Sequence, residues 1–468
     1  MKLRDYQQDA VADVASAHRA GHVGVLLVIP TGGGKTVIFC SIAAALAVAG
    51  ATVLIVVPAI ELLEQTRDKL KKFGVRHGVI AAGYSRNPDP AASIQVGMVQ
   101  TLRQRPGAML FAPNYVIFDE AHLSAADSYQ LVISRYSGAR YLGVTATPFR
   151  LDGAGFDFAS AIVEGPTPAA MIARGFLVPF RTYSIPLTDI ARCGRRKREF
   201  ERSKVAEAYN KRQLIGDVIG HFRQRAHDRS ALVFASSIEH SRALCGAFRA
   251  AGYAAEHVDG NTPADARAAI LARLESGQTQ IVCNYGVLTA GFDCPRVSAV
   301  VVVRPTASKA LWIQMAGRGL RLCPEIGKID CVIIDHGGNA RRHGNLDFRH
   351  VYSLTGRDRA EPDDDVTGIG RECPQCLLVV DAAAVECPQC QFDLSTAAAA
   401  AARGRKKQAG PLDVELELVD AGAAPIDLDA LAAKAATQLA NAARHSRAAK
   451  ISRAHSFAAG FAAAAGGR

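Results

Sequence analysis

The sequence predicts an α/β chain: two parallel-sheet domains in tandem, then a small four-cysteine, zinc-ribbon-like module and a low-complexity tail. Three observations predict it. Pro30-Thr31-Gly32-Gly33-Gly34-Lys35-Thr36 joins one apolar run, Val23 to Ile29, to another, Val37 to Leu46. That order is strand, glycine-rich loop, helix. Short apolar runs alternate with helical stretches up to about Phe149 and again from Ala231 onward, the pattern of repeated βα units. Cys373-Pro-Gln-Cys376 and Cys387-Pro-Gln-Cys390 form two matching knuckles. The expected divisions are 1–165, 166–350, 351–395 for the linker and cysteine module, and 396–468 for the tail.

The glycine-rich loop is a phosphate cradle. Three successive glycines let backbone N–H groups turn inward, and the helix that follows directs its positive dipole end at the same charge. Residues Thr31 to Thr36 would hold a triphosphate, with Lys35 on the β/γ-phosphates and the Thr36 hydroxyl on Mg²⁺. Ile29 stands where the pattern ordinarily has its first glycine.

The 468 residues carry 55 Lys and Arg against 44 Asp and Glu, a formal net charge of +11. That balance suits a polyanion such as nucleic acid. A GC-rich coding bias toward alanine and arginine gives the same excess, so charge alone does not decide. The start, MKLRDYQQDA, has no apolar signal region, and seven scattered cysteines sit mostly in apolar contexts. Both features suit a reducing cytosol. Val37 to Ile60 carries no charge and is long enough to span a bilayer. The turn Ala49-Gly50-Ala51-Thr52 divides it, predicting a buried helix followed by a buried strand, Val53 to Val57.

The remaining elements follow in order. Gln7 stands ahead of the cradle and offers an amide that matches the adenine edge, with Tyr6 or Arg4 able to pack on the base. Gln100-Thr101-Leu102 follows a strand, Ile94 to Val99, and so falls where ligand loops collect in open parallel sheets. Tyr115 to Phe118 is a short strand that delivers Asp119-Glu120-Ala121-His122 to its end. Asp119 there can hold Mg²⁺ and Glu120 can orient water. Thr145-Ala146-Thr147-Pro148 ends a further strand, its two hydroxyls able to link Asp119 and Glu120 to the nucleic-acid face. From Arg150 to Arg229 the pattern is irregular. The basic run Ala191 to Arg198 reads equally as a phosphate contact and as a solvated loop or hairpin.

The second series has strands at 231–234, 255–258, 280–283 and 297–303, then Gln314 to Arg321 on a helix. Arg318 and Arg321 would share one helical face and reach the γ-phosphate of a nucleotide held by the first domain. Gly317 and Gly319 argue against a plain solvent-facing helix and for close backbone approach.

These segments, in this order, resemble the superfamily II helicases. The matching residues are Tyr6-Gln7, PTGGGKT at Pro30 to Thr36, VVPAIELLEQT, VQTL at Val99 to Leu102, DEAH at Asp119 to His122 and TATP at Thr145 to Pro148. LVFASSIEHSRAL, VLTAGFDCP and QMAGRGLR follow in the second half. The resemblance covers residues 1 to about 340 and implies two RecA-like domains with an ATP site between them. It implies that Gln7 recognises adenine, Asp119 holds the metal, Glu120 activates water, and His122, Thr145 and Thr147 couple hydrolysis to movement. Gly291 and Asp293 would approach the γ-phosphate and ribose, Gln314, Arg318 and Arg321 would complete the site, and Gln100, Thr101 and Thr289 would touch the nucleic-acid backbone. Phe149 to Gly153 after TATP, the run Ile334 to Gly344 and the cysteine element are similar to the bacterial and phage RadD-like DNA repair helicases.

Four thiolates from two tight turns make a closed tetrahedral set, the arrangement of a structural Zn²⁺ site at Cys373, Cys376, Cys387 and Cys390, with iron as the alternative metal. The tail, alanine-rich with a basic cluster at Arg403 to Lys407, reads as partly disordered with helix from about Asp427 to His455. The resulting expectation is a cytoplasmic, nucleoid-associated DNA helicase or translocase of a bacterium or phage. It would use ATP and Mg²⁺, act on single-stranded or branched DNA in repair or recombination, and meet repair or replication proteins through its C-terminal module, with no membrane involved. The alternatives are an RNA helicase and a zinc-containing ATPase switch or adaptor that does not unwind.

Overall fold

The computed structural model describes residues 2–84, 89–104, 111–124, 127–148, 155–184, 195–196, 199–200, 212–289, 291–347, 352, 354, 371–372, 379–380 and 417–419. The first series forms a seven-stranded, wholly parallel sheet. Its strands are β1 (Gly24–Val28), β2 (Val53–Val57), β3 (His77–Ile80), β4 (Ile94–Met98), β5 (Tyr115–Asp119), β6 (Arg140–Thr145) and β7 (Ala161–Glu164), in the spatial order β3-β4-β2-β5-β6-β1-β7. β1, β2 and β5 are buried at every residue, because helices cover both faces. Their unbroken apolar runs reflect that burial. Helices α1 (Asp5–Arg19), α2 (Lys35–Val48) and α3 (Ile60–Lys72) pack on one face, and α4 (Val99–Gln104) and α5 (Asp127–Arg135) on the other.

The uncharged stretch after Lys35 is α2, a turn and β2, and α2 is apolar on most sides because it is enclosed by the sheet, α1 and α3. Among the described residues no helix is long and apolar enough to cross a membrane.

The irregular stretch beyond residue 150 contains more order than its pattern suggests. It holds β7, a short helix α6 (Pro168–Ala173) capped by Thr167, and β8 (Phe180–Ser184), which joins the second sheet. Of the basic run, Arg195–Arg196 (β9) pairs antiparallel with Glu199–Phe200 (β10), a hairpin. Helix α7 (Arg212–Ala226) leads to β11 (Ala231–Ala235), α8 (Ile238–Ala250), β12 (Ala255–Val258), α9 (Ala264–Ser276), β13 (Ile281–Asn284), β14 (Ala299–Val303), α10 (Lys309–Ala316), β15 (Cys331–Asp335) and α11 (Asn339–His343). The second sheet runs β12-β13-β11-β14-β15-β8-β18. It is parallel except at its edge, where Glu417–Val419 (β18), from within the tail, lies antiparallel to β8. Arg371–Glu372 (β16) and Val379–Val380 (β17) pair antiparallel on either side of the first cysteine knuckle.

One apolar cluster crosses between the two halves. Tyr6, from the start of α1, packs with Met171, Leu177 and Val178 and with Trp312, Met315 and Leu320 over the second sheet. Side chains of this size each contribute roughly 1.5–3 kcal/mol when fully buried, so the first helix is anchored to both halves.

Candidate active site between the two sheets

β1 ends at Val28 and the chain turns through Ile29 and Pro30 into the glycine loop, closed by Gly33 N–H donating to the Pro30 carbonyl at 2.9 Å. Gly32 and Gly34 adopt φ of +84° and +77°, the left-handed region that disfavours a side chain. At Gly34 a Cβ would also meet Gln7 Nε2 at 2.6 Å. α2 then begins at Lys35, with Thr36 beside it, both half-buried. The cradle read from the sequence is thus built as a loop at a helix N-terminus.

Gln7 differs from expectation. Its Oε1 accepts from Arg4 N–H at 3.0 Å and its Nε2 donates to the Gly33 carbonyl at 3.3 Å, while the Tyr6 hydroxyl donates to the same carbonyl at 2.9 Å. The amide expected to face an adenine therefore closes on the helix start and on the cradle, and Gln7 is only 5 % exposed. Arg4 lies over the Phe176 ring at 5.1 Å, and Arg174 lies over the same ring at 5.2 Å while pairing with Asp5 at 2.6 Å. Neither Phe176 nor Arg174 was legible as part of this corner, since they follow α6 and reach Tyr6 only through the tertiary fold.

β5 carries Asp119 and Glu120 to the cradle. Both are buried, and Glu120 takes φ of 52°, a left-handed conformation unusual for a residue with a side chain. Glu120 N–H donates to Asp119 Oδ1 at 3.0 Å, and Asp119 Oδ2 has no hydrogen-bond partner among the described residues. Burial, reinforced by the Glu120 charge and opposed by Lys35, pushes Asp119 up to about 7. Burial also penalises the Glu120 carboxylate, but Lys35, His122 and Arg318 outweigh it and hold the group below its ordinary value. Lys35 is lowered by burial, although Glu120 and Asp119 pull it back up. A buried carboxylate oxygen without a partner among the described residues, close enough to Lys35 to feel its charge, is a hard-oxygen donor that fits Mg²⁺, and Thr36 follows Lys35 in the chain.

A polar chain leads from Glu120 to the second half. His122 Nδ1 lies 3.4 Å from Glu120 Oε2 and 3.2 Å from Thr145 Oγ1, and its Nε2 lies 3.3 Å from Gln314 Nε2 on α10. An amide nitrogen can only donate, so His122 Nε2 accepts and Nδ1 carries the proton. Burial favours this neutral ring, against the pull of Glu120. Thr145 Oγ1 accepts from Thr147 N–H at 3.0 Å and donates to the Thr147 carbonyl at 3.2 Å, locking the segment after β6.

The arginine segment requires a correction. α10 stops at Ala316, Gly317–Leu320 is one turn of tighter 3₁₀ helix, and Arg321 is already extended. The two arginines therefore do not share an α-helical face. They still converge on the cradle, for two reasons. Gly317 presses on Thr31, where a Cβ would sit 2.8 Å from the threonine Cβ, and the stem of Arg321 lies against Gly32. Arg321 Nε pairs with Asp293 at 2.8 Å. Arg318 is buried and donates to the carbonyls of Phe292, at 2.7 Å, and Thr289. Burial first, then neighbouring Arg321, brings its pKa down to about 10.

Other expected contacts are placed differently. Gly291, with φ of +71°, packs against Glu61 and Leu62 of α3 and accepts from Gln65 Nε2, so it lies at the seam with α3 and not against the cradle. An ion pair, Glu61 with Arg267 at 2.9 Å, closes the same seam and had no signature in the sequence. Thr101 lies in α4, not in a loop, and is 4 % exposed, its hydroxyl accepting from Ala82 N–H at 2.9 Å. That leaves exposed Gln100 as the accessible side chain there. Thr289 is half-buried, with its carbonyl held by Arg318. Cys373, Cys376, Cys387 and Cys390 lie outside the described residues, as does the helix expected near 427–455. Among the described residues no cluster of three His, Cys, Asp or Glu side chains is arranged to hold a metal.

Comparison with known proteins agrees with this two-part cleft. Residues 1–150 match the family of the res subunit of type III restriction enzymes, and residues 210–323 match the helicase conserved C-terminal domain. A 51.5 kDa protein of a Lactococcus phage is 28 % identical over 84 % of this chain and 81 % of its own length. A Saccharomyces cerevisiae protein, named provisionally as the ATP-dependent helicase IRC3, is 29 % identical over 72 % of this chain. This chain spans only 51 % of that yeast protein. A solved fragment of a type I restriction enzyme HsdR subunit from Vibrio vulnificus shares the fold, with a TM-score of 0.59 at 20 % identity, covering 74 % of this chain and 66 % of that one. With both domain families matched in order around one cleft, the chain belongs to the superfamily II helicases, ATP-hydrolysing enzymes with two RecA-like domains.

Proposed function

We propose that the protein is a DNA-stimulated ATPase that moves along DNA by opening and closing the cleft between its two sheets. The observation that carries this is the division of the site. Lys35, Asp119 and Glu120 stand on the first sheet, while Arg318 and Arg321 reach the same cradle from the second. Neither half is complete alone, so each catalytic cycle is tied to domain movement. The proposed division of the chain places these halves in 1–165 and 166–350.

In this reading the cradle N–H groups, the α2 N-terminus and Lys35 bind the β- and γ-phosphates. Thr36 and Asp119 would hold Mg²⁺, which when bound would neutralise phosphate charge. Glu120, kept ionised by its basic neighbours, orients the attacking water and takes its proton. Arg321, released from Asp293, and Arg318 balance the charge that develops on the transferred phosphoryl group. The chain Glu120–His122–Gln314 passes the change to α10, and the Glu61–Arg267 and Gln65–Gly291 contacts define the arrangement that must open.

DNA is favoured over RNA because a relative over 33 % of this chain, 32 % identical, is named a DNA 3'-5' translocase, XPB2 of Sulfurisphaera tokodaii. The deciding experiment compares ATP turnover with single-stranded DNA, duplex DNA, branched DNA and RNA. Stimulation by RNA alone would replace this reading with an RNA helicase. Turnover with blank strand displacement would indicate translocation or switching without unwinding. A role in DNA repair, a cytoplasmic setting and recruitment of repair proteins by the C-terminal module are parts of the same proposal.

Gly317→Ala is expected to lower turnover by roughly 10–100-fold, because the added methyl displaces the arginine segment from Thr31 and small misplacements are costly in pre-organised sites. Steady-state phosphate release measures this, and a rate within twofold of the parent would show that the close approach does not matter.

The four-cysteine element is proposed to hold one structural Zn²⁺. The pairing of β16 with β17 across the first knuckle supports it, since a hairpin turn is how such knuckles present two thiolates. Elemental analysis of the purified chain should find about one zinc per molecule, lost in a Cys373→Ser/Cys387→Ser variant. Iron in its place, or no metal, would overturn the assignment.

A further inference from the structure

A second cavity lies between the two sheets and borders the nucleotide cleft at Pro30, Thr31 and Gly317. It has a volume of about 330 Å³. Val28 and Ala146 from the first sheet, Leu177 from the connection, Ile313 and Leu320 from the arginine segment, and Leu346 form its apolar walls. Prolines at 30, 166 and 168 stiffen them. None of Lys35, Thr36, Asp119, Glu120, Arg318 or Arg321 lines it. Among the described lining residues there is no lysine, arginine or histidine, and Glu164 is the one charged side chain. Tyr352 stands beside it: burial first, and then the Glu164 carboxylate, raises the pKa of its phenol. Thr31, also in the wall, is 6 % exposed, and its hydroxyl has no hydrogen-bond partner among the described residues.

We propose that this cavity is a binding site for a small aromatic amine, an apolar ring body carrying one protonated nitrogen. The volume falls within the range of small-molecule sites, roughly 300–1,000 Å³. The apolar walls suit the ring, and the Glu164 carboxylate suits the cation. The walls come from both sheets and from the connection between them. A bound molecule therefore touches both halves. The recognition chemistry rests on the apolar walls and Glu164, and Lys35, Asp119, Glu120, Arg318 and Arg321 take no part in it.

The test is calorimetric titration of the full chain with 1-naphthylmethylamine at neutral pH. A parallel titration uses 1-naphthoate, which has the same ring and the opposite charge. The amine is expected to bind one per chain and the anion at least about tenfold more weakly, a difference near 1.4 kcal/mol. Saturating Mg·ADP is expected to leave the amine affinity within about threefold, under 0.7 kcal/mol. Glu164→Gln, at an exposed edge-strand position, is expected to weaken the amine about tenfold. Leu346→Phe fills the cavity and should abolish binding, and where that variant melts early Glu164→Gln alone decides. No saturable heat, equal binding of amine and anion, displacement by ADP, or an unchanged affinity in Glu164→Gln each overturns the proposal.

Discussion

Lys35→Ala is expected to lower nucleic-acid-stimulated ATP hydrolysis by at least about 10³-fold, and Glu120→Gln by a similar factor, since each removes a pre-organised electrostatic or proton-accepting group. The two losses differ in kind. Lys35 begins α2 at the cradle, with Glu120 and Asp119 favouring its charged form against burial. Its removal leaves phosphate oxygens without their nearest cation, so nucleotide binding should weaken along with turnover. Glu120→Gln keeps the shape and the His122 neighbour but cannot take a proton. Nucleotide affinity should stay within a few fold while turnover collapses. Phosphate release combined with nucleotide titration separates these outcomes, and normal stimulated turnover in either variant would sink the site assignment.

Arg321→Ala is expected to reduce kcat by about 10³-fold or more, the scale measured for arginines that complete phosphoryl-transfer sites. Folding stability should hardly change. Arg321 sits beyond the end of the 3₁₀ turn, and its ion partner Asp293 is half exposed. Arg318→Ala should reduce kcat as well, but with a thermal midpoint lower by about 5 °C or more, because its guanidinium is buried and donates to the Phe292 and Thr289 carbonyls. Two unstable variants, or two stable and active ones, would remove the distinction drawn between an arginine kept for chemistry and one that also braces the loop. Thermal melts and initial rates on the same preparations decide.

Much of this cleft was legible in the chain because its parts are local. A glycine loop between two apolar runs, or an acidic pair at the tip of a buried strand, is specified by a handful of neighbouring residues. β1, β2 and β5 are apolar throughout because both faces are covered, and that burial is written directly in composition. The errors cluster where neighbours do not decide. Gln314 to Arg321 has a helical pattern up to Ala316, but Gly317 must fit against Thr31 and Gly319 against Val300 and Cys331, and that packing tightens the turn and frees Arg321 from it. Thr101 follows a strand and invites a loop assignment, yet Val99 and Leu102 are apolar and buried, which pulls the segment into α4. β8 was hidden because a strand bordering β15 is recognised by its partner more than by its own five residues.

The sequence by itself determined the two series of βα units, the glycine loop between strand and helix, and the acidic pair at a strand end, because each is encoded by adjacent residues whose local structure does not depend on distant partners. Only the tertiary structure decided how the halves meet. Gln7 turning to Gly33, His122 reaching Gln314, Glu61 pairing with Arg267, and the cavity between Val28 and Leu320 all join residues far apart in the chain. Such contacts arise from the packing of whole sheets against one another, and no local spacing records them.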